Sequence, residues 1–261
     1  MTYETITLAL ADAVATITLN KPERLNACSL VMADEIFAAL DQLGDARALI
    51  ITGAGRAFCS GADLQARGGD ASISGGQGSY AALNKHYNPL MLKLARLPIP
   101  IVTAVNGPAA GVGCSLALSS DFAIAGRSAY FLQAFVNIGL VPDGGASWML
   151  PRLIGKARAT EMMLLGEKIG AEKAESWGLI YRMVEDGALQ AEALTLATRL
   201  ANGPTVAIGI MRQNIAASLD SDYASALLRE AEGQRIAGNS ADAMEGGMSF
   251  LQKRKANFQG K

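Results

Sequence analysis

One acidic residue stands out because its surroundings are apolar. Between residues 128 and 151, Asp143 is the only side chain that carries a charge at neutral pH, and it lies in the run "GLVPDGG". A single carboxylate in an apolar pocket is suited to moving a proton. The same pattern also favours a type I turn of residues 141–144, or an N-cap for a helix beginning near Gly144. A structural role for Asp143 therefore stays open.

Two glycine-rich segments also have the composition of a binding site. They are "GAGRAFCSGADL" (53–64) and "NGPAAGVGCSLAL" (106–118), and each follows a short apolar run typical of a buried strand. Each leads toward a helix start, where backbone N–H groups lack helical acceptors. Neither segment matches a dinucleotide fingerprint, a P-loop or a nucleophile elbow. The glycines are also compatible with tight turns alone.

The elements that would position these segments follow from hydrophobic periodicity. We predict a hairpin with one buried face, further buried strands, a glycine-rich mobile loop, and helices that dominate the second half. The hairpin is expected at 6–10 and 15–19, later strands at 48–53, 99–107, 121–126 and 179–184, the loop at 67–78, and helices at 29–43, 79–97, 111–118, 187–202, 204–218, 221–237 and 240–252. This order predicts an α/β core at 1–186 and a helical C-terminal region at 187–261.

Composition excludes several classes of function. The 261-residue chain has a net charge of −1 and an isoelectric point near 5.9, which argues against nucleic acid as a partner. One histidine and three scattered cysteines argue against a metal site or a disulfide scaffold. The N-terminus alternates like a strand and not like a signal peptide, and no apolar run is long enough to span a membrane. We expect a soluble cytoplasmic protein.

Taken together and in order, the motifs resemble a known family. The segments "NKPERLNA", "AFCSGADL", "AVNGPAAGVGCSLAL", "GLVPDGGASWMLPRLIG" and "EKAESWGLIYRMV" are similar to those of the crotonase (enoyl-CoA hydratase/isomerase) superfamily. The resemblance covers essentially the whole chain. It implies a superhelix of ββα repeats, a helical C-terminal region used for trimerisation, acyl-CoA as ligand, and a homotrimer or a dimer of trimers. No metal or redox cofactor is implied, since CoA arrives as part of the substrate.

The resemblance also assigns roles to individual residues. The backbone N–H groups of Ala62 and Val112 would form an oxyanion hole for the thioester oxygen, and losing one such donor typically costs about 10²–10³ in rate. Side chains and backbone groups near CoA would come from Arg24 at the phosphates, from Ser60, Ala62, Asp63 and Leu64 at the adenine end, and from Phe258 and Lys261 at the C-terminus.

The expected acids and bases separate two activities within the family. Hydratases of the family use two glutamates, and this chain has Ser115 and Phe135 at those positions. Asp143 matches the single acidic residue of family isomerases. One carboxylate suffices to take a proton from one carbon and return it to another, so we expect isomerisation, either of a ring 1,2-epoxide or of a 3-enoyl-CoA. The alternatives are a 2-enoyl-CoA hydratase, an acyl-CoA-binding protein without catalysis, and a family member recruited to RNA.

Two further residues permit more than one interpretation. His86 either lines the acyl pocket or faces solvent, and Cys114 is either a packed thiol or one half of a Cys114–His86 pair for thioester hydrolysis. No third residue that would orient such a pair suggests itself. We expect both side chains to be structural.

Overall fold

A computed structural model describes residues 2–63 and 75–261 of the chain. Leu64 and the part of the predicted loop at 67–74 lie outside the described residues. Within the described part, no helix is long and apolar enough to cross a membrane. The described residues also contain no cluster of His, Cys, Asp and Glu side chains that could hold a metal ion.

A six-stranded sheet forms the centre of the fold, with strand order β1-β2-β3-β4-β6-β9. Only the β1–β2 hairpin is antiparallel, and every later neighbour in this sheet is parallel. Its strands are β1 (Ile6–Ala11), β2 (Val14–Leu19), β3 (Ala48–Gly53), β4 (Ile101–Val105), β6 (Phe122–Gly126) and β9 (Arg182–Val184). Strands β3 and β4 are buried along their whole length, as expected of parallel strands covered on both faces.

A second, smaller sheet carries the segments that follow the central strands. It contains β5 (Pro108–Ala110), β7 (Tyr130–Leu132) and β8 (Ile169–Gly170) in the order β5-β7-β8. An isolated parallel bridge joins Cys59 to Ala109, so the segment after β3 extends this sheet by one residue pair. Each repeat therefore contributes one strand to the large sheet, a short strand or bridge to the small one, and then a helix. The predicted ββα superhelix is confirmed.

Ten α-helices lie within the described residues. They are α1 (Leu30–Ala39), α2 (Gly75–Ala82), α3 (Asn88–Arg96), α4 (Val112–Leu118), α5 (Ala146–Leu165), α6 (Ala171–Ser176), α7 (Leu189–Ala201), α8 (Thr205–Ser218), α9 (Tyr223–Gly238) and α10 (Ala241–Leu251). A π-helical turn at Leu83–Tyr87 joins α2 to α3, and Gly155 interrupts the helical geometry inside α5.

Two apolar cores flank the large sheet. The main core packs one face of the sheet against helices that include α1, α3 and α4. The other core packs α7 against the opposite face, through its buried residues Leu189, Ala193, Ala197 and Ala201. The first helix of the predicted C-terminal region thus covers the sheet. The division of the chain at 186/187 stays a prediction.

The structure corrects three details of the predicted elements. Residues 75–78 belong to α2, so the predicted loop is wrong at its C-terminal end. Helix α1 ends at Ala39 and not at 43, although the next two predicted core leucines are still buried. Leu10 was expected on the buried face of the hairpin but is 54% exposed, because it lies near the turn of an edge strand.

Candidate active site

A cavity of about 370 Å³ brings the two glycine-rich segments and the Asp143 segment together. Its walls come from four parts of the chain. They are Ser60, Gly61 and Ala62; Ser79, Ala82, Leu83 and Tyr87; Gly111 and Val112; and Ala134, Phe135, Asn137, Ile138, Leu140, Val141, Pro142 and Asp143. Among these lining residues Asp143 is the only carboxylate. The cavity is otherwise mostly apolar, as small-molecule sites generally are.

The peptide units that precede Ala62 and Val112 lie against each other. Gly61 and Gly111 both have positive φ, at 113° and 52°, a region that residues with a Cβ rarely adopt. A Cβ atom added to Gly111 would lie 3.7 Å from the Cα atom of Gly61, and one added to Gly61 would lie 3.3 Å from the carbonyl oxygen of Ala110. Both positions favour glycine because of these φ angles, and at Gly61 an added Cβ would also crowd the carbonyl oxygen of Ala110.

The surrounding hydrogen bonds use neither the N–H of Ala62 nor the N–H of Val112. The N–H of Cys28 donates to the carbonyl of Gly61 at 2.7 Å, and the N–H of Asp63 donates to the carbonyl of Cys28 at 3.0 Å. This parallel bridge directs the N–H of Ala62 away from Cys28. Val112 is the first residue of α4, whose initial N–H groups have no acceptor within the helix. Within residues 2–63 and 75–261, neither N–H donates a hydrogen bond.

The valine at position 112 is accommodated in the way its backbone role requires. Val112 is 4% exposed and is absent from the residues with positive φ, so the preceding Gly111 makes the turn. Its Cγ2 atom lies 3.6 Å from the position of a Cβ added to Gly144, which places the Asp143 segment directly against this residue.

Asp143 does not adopt the turn that the sequence predicted. The hydrogen-bonded turn runs from the carbonyl of Asp143 to the N–H of Ala146 at 3.1 Å, through Gly144 and Gly145, which both have positive φ. The N-cap of α5 is Gly145, and no side chain caps this helix. The predicted turn at 141–144 and the predicted N-cap role are therefore wrong, because the two glycines move the turn and the helix start beyond the carboxylate.

The charge of Asp143 is one of the causes that raise the pKa of the Cys28 thiol. Burial raises the pKa of Cys28 well above its ordinary value, and the charges of Cys59, Asp143 and Asp34 raise it further. Cys28 also accepts a 2.7 Å hydrogen bond, at its carbonyl oxygen, from the hydroxyl of Tyr87. The Tyr87 hydrogen bond ties the π-helical side of the cavity to the segment that bridges Ala62.

Comparison with known proteins identifies the family. The Enoyl-CoA hydratase/isomerase family model matches residues 10–261. The chain belongs to the enoyl-CoA hydratase/isomerase (crotonase) family. It is 43% identical to a probable enoyl-CoA hydratase of Rhodobacter capsulatus, over 100% of both chains. It is also 43% identical to the 1,2-epoxyphenylacetyl-CoA isomerase of Escherichia coli K12, over 95% of both chains.

Solved structures agree with this membership. The putative enoyl-CoA hydratase of Streptomyces coelicolor A3(2) superposes with a TM-score of 0.92 at 34% identity, covering 100% of this chain and 96% of that chain. A putative enoyl-CoA hydratase/isomerase of Mycobacterium abscessus superposes with a TM-score of 0.89 at 36% identity, covering 98% and 100%. Both the predicted family and the predicted fold are confirmed.

In this crotonase-family chain the two predicted hydratase positions are occupied by residues without acid–base function. Ser115 is fully buried, and its hydroxyl donates to the backbone carbonyl of Asp143 at 2.9 Å. Phe135 is 9% exposed and lines the cavity, with its ring 3.6 Å from a Cβ added to Gly111. Ser115 thus supports the Asp143 segment, and Phe135 packs beside Gly111 in the second glycine-rich segment.

The residues predicted to hold the nucleotide part of CoA form two separate groups. Arg24 forms a 2.9 Å ion pair with Asp63, and Ser60 donates to the carbonyl of Arg24 at 3.4 Å, so these three lie together. The N–H of Asp63 already donates to a carbonyl. Phe258 and Lys261 do not line the cavity.

The C-terminal tail is instead held by Arg47 and by the first turn of α10. Arg47 donates to the carbonyl of Phe258 at 3.1 Å, and the N–H of Asp242 donates to the carbonyl of Lys261 at 3.0 Å. Asp242 is buried and accepts the N–H groups of Gln259 and Gly260. Contact of the tail with CoA, within one chain or across subunits, stays a prediction.

The Cys114–His86 alternative is not favoured. His86 Nδ1 lies 2.7 Å from Asp34 Oδ1 in an exposed pair, and His86 does not line the cavity. Burial raises the pKa of the Cys114 thiol to about 12, so the thiol stays protonated at neutral pH. His86 is therefore paired with Asp34 outside the cavity, and Cys114 is a buried thiol, as expected of a packed side chain.

Sequence reasoning missed two residues of this site. Tyr87 lines the cavity from a π-helical turn, which no periodicity indicates. From the sequence, Ser115 was noted only because a glutamate is missing there. In the structure its hydroxyl donates to the carbonyl of Asp143, 28 residues further along the chain. The small residues of "GVGCS" (111–115) were the available signal that another segment packs closely against Ser115.

Proposed function

We propose that this protein is an acyl-CoA isomerase in which Asp143 carries a proton between two carbons of the substrate. The observation that supports this most strongly is the composition of the cavity wall. Among the described residues that line it Asp143 is the only carboxylate, and Ala62 and Val112 line the same cavity with N–H groups that donate to no acceptor in the described part of the chain.

The reaction would run through a thioester enolate. The Asp143 carboxylate takes a proton from carbon 2 of a 3-enoyl-CoA, and the electron pair moves onto the thioester oxygen. The N–H groups of Ala62 and Val112 stabilise the negative charge there without reorganising, which is the effect that such donors supply. The same carboxyl then gives the proton to carbon 4, and the double bond ends between carbons 2 and 3. Asp143 finishes in its starting state.

Two acyl groups fit this chemistry. One is a 3-enoyl chain, and the other is the ring 1,2-epoxide of phenylacetyl-CoA, which rearranges to a seven-membered oxepin. The 43% identity to a protein named 1,2-epoxyphenylacetyl-CoA isomerase supports the second. The mostly apolar wall, which includes Phe135 and Tyr87, is compatible with both.

Hydration of a 2-enoyl-CoA is the second candidate function. It is favoured by the name of the Rhodobacter capsulatus relative, a probable enoyl-CoA hydratase at 43% identity. Such a reaction would need a second acid–base group beside Asp143. Because Ser115 and Phe135 cannot supply one, we place hydration below isomerisation.

We also propose a cytoplasmic homotrimer or a dimer of trimers. Several large apolar side chains of α8, α9 and α10 are exposed in the single chain, which is typical of a subunit interface. They include Ile215, Leu228, Met244, Phe250 and Leu251. Three buried free cysteines agree with a reducing compartment. Sedimentation analysis of the purified protein would test the oligomeric state.

The decisive experiment follows conversion of a 3-enoyl-CoA and of the ring epoxide by wild type and by Asp143→Asn. Asp12→Asn, in the exposed β1–β2 turn, is the matched control. Loss of a positioned acid–base group is expected to slow turnover by about 10²–10⁴ while binding of a saturated acyl-CoA is kept. Equal rates in wild type and Asp143→Asn would refute the mechanism. Conversion of a 2-enoyl-CoA in ¹⁸O-labelled water to a 3-hydroxyacyl-CoA that carries ¹⁸O in its hydroxyl group would establish the hydratase.

A further inference from the structure

Ser115 links the helix that begins with Val112 to the segment that carries Asp143. It lies three residues after Val112 on α4, and its side chain is fully buried. Its hydroxyl donates to the backbone carbonyl of Asp143 at 2.9 Å. Serine hydroxyls inside helices usually bond to the carbonyl one turn back, so a bond to a distant segment is a different use of the group.

The contact between the two segments is tight as well as polar. A Cβ atom added to Gly144 would lie 2.7 Å from Cβ of Ser115 and 3.1 Å from its Oγ, closer than ordinary contacts. The same atom would lie 3.6 Å from Cγ2 of Val112. The backbone at Asp143–Gly144 thus rests directly on the first turn of α4.

We propose that Ser115 is a positioning residue, which fixes the distance between the Asp143 carboxylate and the Val112 N–H. This inference rests on the proposed function, in which those two groups act on one substrate. The rigid connection matters because one carboxylate must reach two carbons of a substrate whose thioester oxygen is held at Val112. A displacement of about 1 Å in such a site can cost about 10²-fold in rate.

From the same geometry we expect that a glutamate would not fit at position 115 in the present arrangement. A longer, charged side chain would have to replace a buried hydroxyl that is bonded to the Asp143 carbonyl. It would either push the Asp143 segment away or remain buried without room. We therefore expect a carboxylate at 115 to displace Asp143 from its present place.

The test compares Ser115→Ala with Ser119→Ala. Ser119 is also on the α4 segment and donates its hydroxyl to a carbonyl, that of Leu116 at 2.8 Å, but it does not touch Asp143 or the cavity wall. We expect Ser115→Ala to lower kcat by about 10- to 100-fold with KM changed less than about threefold. Ser119→Ala should keep both constants. In the Asp143→Asn background, Ser115→Ala should cause no further loss.

A second readout does not depend on turnover. Hydrogen exchange of the backbone amides at 143–146, measured by mass spectrometry, should be faster in Ser115→Ala than in wild type or Ser119→Ala. Wild-type kcat and unchanged exchange in Ser115→Ala would overturn the proposal, as would equal losses in both serine variants. If wild type is inactive, or if Asp143→Asn equals it, the proposed function fails. Exchange at 143–146 still decides whether Ser115 fixes this segment.

Discussion

Replacing Gly113 with alanine should separate the two backbone donors. Gly113 follows Val112 in α4, and a Cβ atom there would lie 2.4 Å from the carbonyl oxygen of Cys59 and 2.7 Å from its Sγ. Ordinary contact begins at 3.4 Å, so the segments that carry Ala62 and Val112 would have to move apart by about 1 Å. The obstructing atoms include backbone, which cannot rotate away.

The magnitude follows from two opposing contributions. Overpacking a buried site costs about 1–3 kcal/mol of unfolding free energy. Alanine is more favourable than glycine in a helix by about 1 kcal/mol. We therefore expect Gly113→Ala to lower the unfolding free energy by up to about 2 kcal/mol. The separation of the donors should lower kcat/KM by about 10²-fold.

The assay combines urea unfolding with kcat/KM for a 3-enoyl-CoA. Gly187→Ala is the control, because an added Cβ there meets nothing within 4 Å. Its stability should stay within about 0.5 kcal/mol of wild type, with activity unchanged. Wild-type stability and activity in Gly113→Ala would show that the two glycine segments are not in the tight contact described.

Three other substitutions probe the cavity wall, the tail and the half-buried carboxylate of Glu35. Phe135→Ala should lower the unfolding free energy by about 3 kcal/mol in urea unfolding, and it should raise KM more than it lowers kcat, since the ring supplies uniform binding; an unchanged KM would contradict this. Arg47→Ala removes the hydrogen bond to the Phe258 carbonyl and should lower the unfolding free energy by about 2 kcal/mol, with faster carboxypeptidase digestion of the tail. A tail as resistant to digestion as in wild type would refute this prediction. Burial raises the pKa of Glu35, but backbone hydrogen bonds from Glu4 and Thr5 outweigh this and lower it below 4.5, so Glu35→Gln should destabilise the protein at neutral pH. That difference should disappear as pH falls through the lowered pKa, and a difference that persists at low pH in thermal unfolding would contradict the assignment.

Much of the fold could be predicted because its strands and helices have clear periodicity. The alternation in β2 and the apolar runs of β3 and β4 correspond to buried strands in the structure. The four C-terminal helices begin and end within a few residues of the predicted bounds. Short strands such as β8, which has two residues, carry too little pattern to be recognised.

Composition predicted the wrong structure for the first turn of α2, where the helix continues into its packed neighbours. The glycine-rich residues 75–78 have low helix propensity, yet they form the first turn of α2. That helix continues through the π-helical turn into α3, whose buried residues include Leu90 and Leu94. Propensity is a weak guide where tertiary packing extends a helix.

Residues that line the cavity could be named from the sequence, but their contacts could not. Asp143, Ala62 and Val112 were expected from sequence, and the structure places all three on one cavity wall. The turn at Asp143 was predicted wrongly because "PDGG" allows more than one turn, and only the two positive φ angles select one. The bond from Ser115 joins separate segments, so no local pattern could indicate it.

The central claim is that one carboxyl moves the proton, and the position of an isotopic label in the product tests it most directly. A 3-enoyl-CoA deuterated at carbon 2 should give a 2-enoyl product with part of the deuterium at carbon 4, because Asp143 returns what it removed. Asp143→Asn should form this product about 10²–10⁴ more slowly. Complete absence of deuterium at carbon 4 under single-turnover conditions, together with a wild-type rate in Asp143→Asn, would contradict the account.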